Sequence, residues 1–454
     1  MNKKTSKLIK WGLACTLILG SATVITEPTQ AKAKTQDTQF TQAATKSLAT
    51  RQKEALNYLN KIRAKMGLQP LKLNAYLNKA AQNHANYLKI NNAVEHGESK
   101  KDKGYTGIDS HERIKAVGGS ERLYTYSRET ISFDTNNLTE AVQGFMDTAY
   151  HREIMIGENL DQIGMGVAGN NVVFDFGDLV DSDAEDLKSF SAYPYNGMTN
   201  TPIGFYGFEN PNPLDQFKVD KSGYIISYQS DNTCAYDISV TIKDSSGAKV
   251  PFYVEHVGLV WFFYPKYELA YNEKYTVTVE YREDYYNPSS PLKKDTWSFT
   301  TKPKPKINLA KDETLLKING KYVSSELEDE LTAYTYYYNP IVKRSKSYIN
   351  AKFLFERLNG RVTYDSKTKY TTVKTAKKEI KFKVGYKYAY VNGKKVALST
   401  APISLEGAVH VPHTLLKETL GAKVIYSSKN KLTTIDLKLD DPYGLKSKFS
   451  IYDY

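Results

Sequence analysis

The stretch Leu59-Asn60-Lys61-Ile62-Arg63-Ala64-Lys65-Met66-Gly67-Leu68-Gln69-Pro70-Leu71 closes one helical pattern, leads into a second and sets the class of the first domain. Upstream, Thr50 reads as a helix N-cap. Ala55, Leu56, Leu59, Ile62 and Met66 recur at helical spacing until Gly67 stops the run. Leu68 to Leu71 form a short link. Asn74 then caps a second helix, whose apolar face carries Leu77, Ala80, Ala81, His84, Ala85 and Leu88. A third amphipathic stretch runs over 138–156, and two short strands follow at 164–168 and 172–176. Helices followed by short strands predict a mixed α/β domain over 48–180, roughly 130 residues long.

Upstream of this region, Lys3, Lys4, Lys7 and Lys10 precede an apolar run from Trp11 to Val24, and Ala31-Lys32-Ala33 supplies a small-x-small cleavage signal. A basic head, a short apolar stretch and a small-residue exit make 1–33 a secretory signal peptide. The run is too short and mixed for a membrane span, so none is expected once the leader is removed. Removal leaves Cys234 as the one cysteine, which permits no internal disulfide and favours a bacterial exporter. The chain carries a formal charge of +12. The leader holds five lysines (3, 4, 7, 10 and 32) against Glu27, so about +8 remains on the mature chain. A basic exported protein is drawn to anionic wall polymers and lipid head groups. Nucleic acid is not expected as a partner outside the cell, and no nucleic-acid motif appears.

Residues 34–47 are rich in Thr, Gln, Ala and Lys and read as a flexible lead-in. The acidic run 181–186 marks a boundary. Over 193–301 the pattern changes to period two, as in Ile238-Ser239-Val240-Thr241-Ile242, with turn signals such as Asp244-Ser245-Ser246-Gly247 between runs. This predicts an all-β immunoglobulin-like sandwich. Residues 302–312 open on Lys302-Pro303-Lys304-Pro305-Lys306, a stiff linker. An internal repeat follows over 313–437. Val362-Thr363-Tyr364 parallels Val424-Ile425-Tyr426 and Thr371-Thr372-Val373 parallels Thr433-Thr434-Ile435, both at an offset of 62. Each unit reads as strand, short helix and hairpin, opened by Ile318-Asn319-Gly320-Lys321 and Val391-Asn392-Gly393-Lys394. This region resembles the stalk-like copper amine oxidase N-terminal domain, an α+β repeat. The name implies no copper here: His410 and His413 are its only histidines, and they read as a plain strand-to-helix turn. The tail, 438–454, carries no motif.

Seven histidines are present, and four of them (84, 96, 111 and 151) fall in the first domain. Histidine is the usual metal ligand or proton carrier where cysteine is absent. His84 lies on an apolar helix face and reads as a satisfied core residue. His111 reads as exposed, and His256 as structural. No serine elbow and no metallopeptidase helix motif appears.

Several ordered motifs over 48–180 resemble the CAP superfamily of cysteine-rich secretory proteins, antigen 5 and pathogenesis-related proteins. The opening 59–71 stretch is followed by Ala80-Ala81-Gln82-Asn83-His84-Ala85 and Glu95-His96-Gly97-Glu98. Then come Gly104-Tyr105-Thr106-Gly107, Arg113, Arg128-Glu129-Thr130-Ile131, 145–152 with its His151-Arg152 pair, and Ile163-Gly164-Met165-Gly166-Val167-Ala168. The resemblance implies an α-β-α sandwich with a cleft lined by His96, Glu129 and His151. The second glutamate of animal members is missing, with Asp147 as a possible replacement. Two imidazoles and a carboxylate suit a divalent metal such as zinc, held by His96 and His151, with Glu129 as ligand or general base. They suit a hydrogen-bonded structural cluster equally well.

The expectation is therefore a multi-domain envelope protein: a CAP-like α-β-α sandwich, an immunoglobulin-like sandwich and stalk-like repeats. A binding role comes first, toward a cell-wall polymer, lipid or surface protein. A metal-dependent hydrolase and a purely structural protein are the alternatives. The 36 tyrosines, densest at 334–338, read as strand packing, with stacking on wall-polymer sugars as the rival role.

Overall fold

Ser47, three residues before the expected cap, starts the first helix: its Oγ accepts from Thr50 N at 3.2 Å. The helix thus begins a turn earlier than the apolar spacing indicates. The computed structural model describes residues 46–158, 160–179, 190–230, 236–282, 289–306, 309–323, 325–329, 334–358, 360–375, 377–405, 407–437 and 448–449. The leader, nearly all of the lead-in, the 181–186 boundary, Cys234 and most of the tail lie outside the described residues.

The first region runs α1 (Leu48–Met66), β1 (Lys72–Leu73), α2 (Ala75–Asn91), α3 (Ser110–Ala116), α4 (Glu121–Thr125), β2 (Arg128–Ser132), α5 (Leu138–Met146), α6 (Tyr150–Met155), β3 (Leu160–Ala168) and β4 (Asn171–Leu179). Gly67, with φ +85°, ends α1 in the left-handed region that favours glycine. Asn74 caps α2, accepting from Tyr76 N and Leu77 N. The amphipathic run over 138–156 is two helices rather than one. Thr148 Oγ1 donates to Phe145 O at 2.9 Å, a local bond that competes with helix continuation.

The four strands form one sheet in the order β1-β3-β4-β2, parallel at β1/β3 and antiparallel elsewhere. Successive residues of β3 face opposite sides. Gly164 and Gly166 lie against α2, where any Cβ would collide with the backbone of Leu77 and Ala81. Ile163 and Met165 join the other core, with Leu59, Ile62, Val142 and Phe145 of α1 and α5. Ile131 and Val173 share the α2 side with Ala81, Ala85 and Leu88. By the period-two rule Glu129 and Asp175, directly opposite in register, lie on that side too.

The remainder is β-rich. The strands are β5 (Phe190–Tyr193), β6 (Gly204–Phe205), β7 (Ser222–Gly223), β8 (Ile226–Ser230), β9 (Tyr236–Asp244), β10 (Phe252–Val257), β11 (Val260–Pro265), β12 (Lys274–Arg282) and β13 (Leu292–Thr300). One sheet has the order β10-β11-β8-β5. The other has the order β13-β12-β9 and ends on the short strand Lys448–Phe449, which returns from the tail to pair antiparallel with β9. Alternate residues of β12 (Tyr275, Val277, Val279 and Tyr281) are buried. Trp297 stacks on Tyr228 at 5.8 Å between ring centres. Arg152 of α6 is fully buried. It donates to Met146 O at 2.6 Å and Ile225 O at 2.9 Å, and its guanidinium lies 4.9 Å over the Tyr193 ring. That side chain ties the first region to the strands that follow it.

In the last third, Leu315–Ile318 pairs parallel with Leu432–Asp436, so the first strand of the region closes on its last. Lys346–Asn350 pairs with Ala408–Pro412, and each leads into a short helix, Ala351–Arg357 or His413–Leu420. Asn319-Gly320 and Asn392-Gly393 take positive φ at both positions, the geometry that tight hairpins require. A five-stranded antiparallel meander runs through Arg361–Tyr364, Tyr370–Lys374, Glu379–Lys383, Tyr388–Val391 and Lys394–Ala397. The Tyr334–Tyr338 run is a strand paired with Ser325–Asp329. Among the described residues, no helix is long and apolar enough to cross a membrane.

Candidate functional site

Glu129 enters the site from β2. One of its oxygens lies 2.8 Å from His96 Nδ1, and the other accepts from Arg113 of α3 at 2.6 Å. The three differ in exposure: the His96 side chain is 59% exposed, that of Glu129 5% and that of Arg113 0%. One imidazole therefore faces solvent on a buried ionic base. Arg113 also donates to His96 O at 3.1 Å, so one guanidinium fixes both the carboxylate and the loop that carries the imidazole. Burial opposes ionisation of Glu129. The bond from His96 and the charge of Arg113 outweigh it and hold the carboxyl below its usual range.

Behind this pair lies a second layer. His84 Nδ1 meets Glu98 Oε1 at 2.9 Å, with both side chains fully buried. Glu98 further accepts from Thr106 N at 2.6 Å and from Gly107 N at 3.3 Å. Burial disfavours its charge, but His84, the Thr106 amide and Arg113 bring its pKa below normal. Gly107 is required where the loop presses on α3, because a Cβ there would meet the backbone nitrogen of Arg113. Asp175 completes the cluster. It is fully buried, and Glu129 stands opposite it in register. Burial first, and then the Glu129 charge, push its pKa well above the usual aspartate value. Of the two facing carboxyls, Asp175 is therefore the one disposed to keep its proton and Glu129 the one disposed to lose it.

His151 has a different partner. Its Nδ1 lies 2.8 Å from Oε1 of Glu209, a residue of the strand-rich region. Glu209 also accepts from Ala149 N at 2.8 Å and His151 N at 2.9 Å, and its side chain is fully buried. Asp147 also turns toward that region, accepting from Tyr224 Oη at 2.5 Å. The structure brings His96 and Glu129 into direct contact and pairs His151 with Glu209.

Among the described residues, no three His, Cys, Asp or Glu side chains converge on a point able to hold a metal ion. Both Glu129 oxygens are engaged and a guanidinium supplies its counter-charge, so Glu129 serves as a support for His96 rather than as a ligand. His96 and His151 each turn Nδ1 to a carboxylate, which leaves their Nε2 atoms as the donors with which they would hold a zinc ion. The set provides one exposed imidazole on a rigid, charge-paired support.

Sequence motifs named Arg113 and Glu98 without giving them roles. Asp175 had a readable signal, a lone acid in the apolar strand Val172-Val173-Phe174-Asp175-Phe176. Glu209 had none, since it sits in a turn-like Asn-Pro segment. Of the other histidines, His111 packs edge-on to Tyr124 at 4.7 Å and His256 stacks on Trp261 at 4.2 Å. His413 is buried with its Nδ1 at 3.2 Å from the Ser347 backbone, and His410 Nδ1 lies 3.2 Å from Ala408 O.

The family model for the cysteine-rich secretory protein family matches residues 56–176, and that for the copper amine oxidase N-terminal domain matches 329–435. The chain carries both domains. It is similar to an extracellular protein containing an SCP domain from Bacillus anthracis, at 20% identity and a TM-score of 0.26, over 29% of this chain and 41% of that one. It is also similar to an outer surface protein from Borrelia burgdorferi, at 21% identity and a TM-score of 0.25, over 30% of this chain and 96% of that one. A cysteine-rich secretory protein from Staphylococcus aureus matches at 15% identity and a TM-score of 0.23, over 30% of this chain and 40% of that one. The similarity thus spans about two fifths of the Bacillus and Staphylococcus proteins. No curated protein matches the chain.

Proposed function

We propose that this chain is an exported bacterial envelope protein whose CAP domain is a binding module. The strand-rich middle, read as an immunoglobulin-like sandwich, and the stalk-like repeats carry that module outside the cytoplasm. One observation supports binding over hydrolysis. Glu129, the candidate general base, has one oxygen on His96 and the other on Arg113, and its carboxyl sits below the normal range. A general base works best with a pKa near the working pH, and a carboxyl held ionised below its normal range by two bonded partners does not have one. His96 stands on that support as the accessible recognition group, and His151 with Glu209 frames the cleft from the side of α6.

The test uses the full chain without its leader, wild type beside His96→Ala. Each is titrated with wall-polymer fragments, anionic vesicles, zinc and magnesium, and its thermal unfolding is recorded. The binding role predicts saturable capture of an envelope component that weakens at least about tenfold in His96→Ala with an unchanged melting temperature. Zinc-dependent hydrolysis abolished by Glu129→Gln would replace this reading with the hydrolase. A variant altered only in its melting temperature would make the cluster structural.

A further inference from the structure

The five-stranded meander of the last domain has two chemically opposite faces. Inward, Val373, Ile380, Phe382 and Ala389 are fully buried. Outward, the intervening positions carry Tyr370, Lys374, Lys381, Lys383, Tyr388 and Tyr390, with Lys395 across from Tyr390. None of the large apolar side chains used to enter a membrane interface stands among these residues. Residues 361–397 contain ten lysines and Arg361 against Asp365 and Glu379, a formal charge of +9. The whole chain carries +12, of which the leader holds +4. The rest of the mature chain is therefore close to neutral, and its basic character sits on this one sheet.

The tyrosines form a ladder along this face. Tyr386, Tyr388 and Tyr390 pack edge to face at 5.4 and 5.7 Å, both at 84°. Lys383 lies 5.8 and 5.3 Å over the Tyr370 and Tyr386 rings, and Lys395 lies 4.2 Å over Tyr388. Ammonium groups cover ring faces, so the surface offers ammonium donors and phenol hydroxyls rather than open stacking platforms. Glu379 ties down Lys381 at 3.0 Å and Lys374 at 3.5 Å. Lys383 and Lys395 have no carboxylate partner among the described residues. The excess of like charge on one face disfavours the bare surface.

We propose that this face docks an anionic glycan, a hydroxyl-rich polymer bearing phosphate or carboxylate groups. Lys383 and Lys395 take its charges, and the tyrosine hydroxyls bond its sugar or polyol hydroxyls. Along a strand, alternate side chains repeat about every 7 Å, so an extended polymer is engaged at several points at once. Covered ring faces disfavour base stacking, and the lack of insertable apolar groups disfavours lipid.

The experiment titrates the full chain without its leader against poly(glycerol phosphate), polygalacturonate, neutral dextran, an oligo-dT strand and phosphatidylglycerol vesicles. The first two separate phosphate from carboxylate as the anion. Three variants are compared. One is Lys381→Gln/Lys383→Gln/Lys395→Gln. The second, Tyr388→Phe/Tyr390→Phe, removes only hydroxyls. The third is a control of equal charge loss, Lys53→Gln/Lys79→Gln/Lys249→Gln, at exposed lysines of other regions. Binding of either anionic polymer is expected to weaken about 10- to 100-fold in the face variant. It should weaken measurably in the tyrosine variant and less than about threefold in the control. Failure of both anionic polymers to bind, equal loss in the control, equal binding of dextran, or tighter binding of oligo-dT or vesicles would each overturn the proposal.

Discussion

Replacing Glu129 by Gln tests the charge logic of the site directly. The change keeps shape and removes one charge, leaving the buried Arg113 guanidinium without its partner at 2.6 Å. At that distance and an effective dielectric near 20, the pair attraction is about 6 kcal/mol, much of it offsetting the desolvation of Arg113. Truncating one member of a buried pair typically costs about 3–5 kcal/mol. The bond to exposed His96 adds little. Asp175 changes the outcome. Glu129 helps to keep it protonated, while Arg113 pulls the other way. With Glu129 neutral, Asp175 can ionise and become the counter-charge of Arg113. The expected loss for Glu129→Gln is then about 2–3 kcal/mol, whereas Asp175→Asn alone is neutral to stabilising at neutral pH, because the amide does not forgo the ionisation that an unfolded aspartate gains. The double variant loses that replacement counter-charge, so its loss should exceed the sum of the two single changes by about 1–2 kcal/mol. Denaturant and thermal unfolding of all four proteins at neutral pH measure the cycle. Additivity within about 0.5 kcal/mol would refute the proton-holding role of Asp175.

Gly166→Ala drives a methyl into the backbone of Ala81 and Gln82, so a loss of at least about 3 kcal/mol or failure to fold is expected, read by soluble yield and melting temperature. Arg152→Met removes two buried charge-assisted bonds, to Met146 O and Ile225 O, at about 1.5–3 kcal/mol each; calorimetry should show the CAP and strand-rich transitions moving apart. Glu98 has a depressed pKa, so its stabilisation is complete above the ordinary carboxylate value and is lost as pH falls through the lower folded value. Glu98→Gln should flatten the stability curve below about pH 5. Asp175 has a raised pKa, so its contribution is complete below the ordinary value and lost as pH rises through the folded one; Asp175→Asn should abolish that decline.

Local patterns made much of this legible in the sequence. Asn74 and Gly67 carry the cap chemistry that bounds the first two helices, and Asn319-Gly320 and Asn392-Gly393 carry the backbone freedom of the hairpins. His84 lay on an apolar face with no visible partner, and the structure supplies Glu98 from the loop fourteen residues on. The break at 147–149 rests on a local bond, Thr148 folding back onto Phe145, which apolar periodicity does not register, and the pairing of His151 rests on Glu209, 58 residues downstream, which no local pattern registers. The motif order that names His96, Glu129 and His151 records neither how Arg113 bonds Glu129 nor where the next domain docks.

The distribution of charge separates two tasks that the mean charge had merged. In the CAP domain, positive and negative groups are matched at short range: Arg113 with Glu129, His84 with Glu98, and Arg128 with Glu153 at 2.9 Å. Such matching gives little long-range field, so the cleft cannot gather a polyanion from a distance. The 361–397 sheet does the reverse, with its excess of lysine left unneutralised. On the two readings proposed above, attraction to an anionic polymer belongs to the last domain and should weaken with salt, whereas recognition at His96 would depend on short-range geometry and should be nearly salt-independent. The two can be separated in one assay. Raising ionic strength should release the full chain from anionic polymer while leaving any ligand of the CAP cleft bound. His96→Ala should do the opposite.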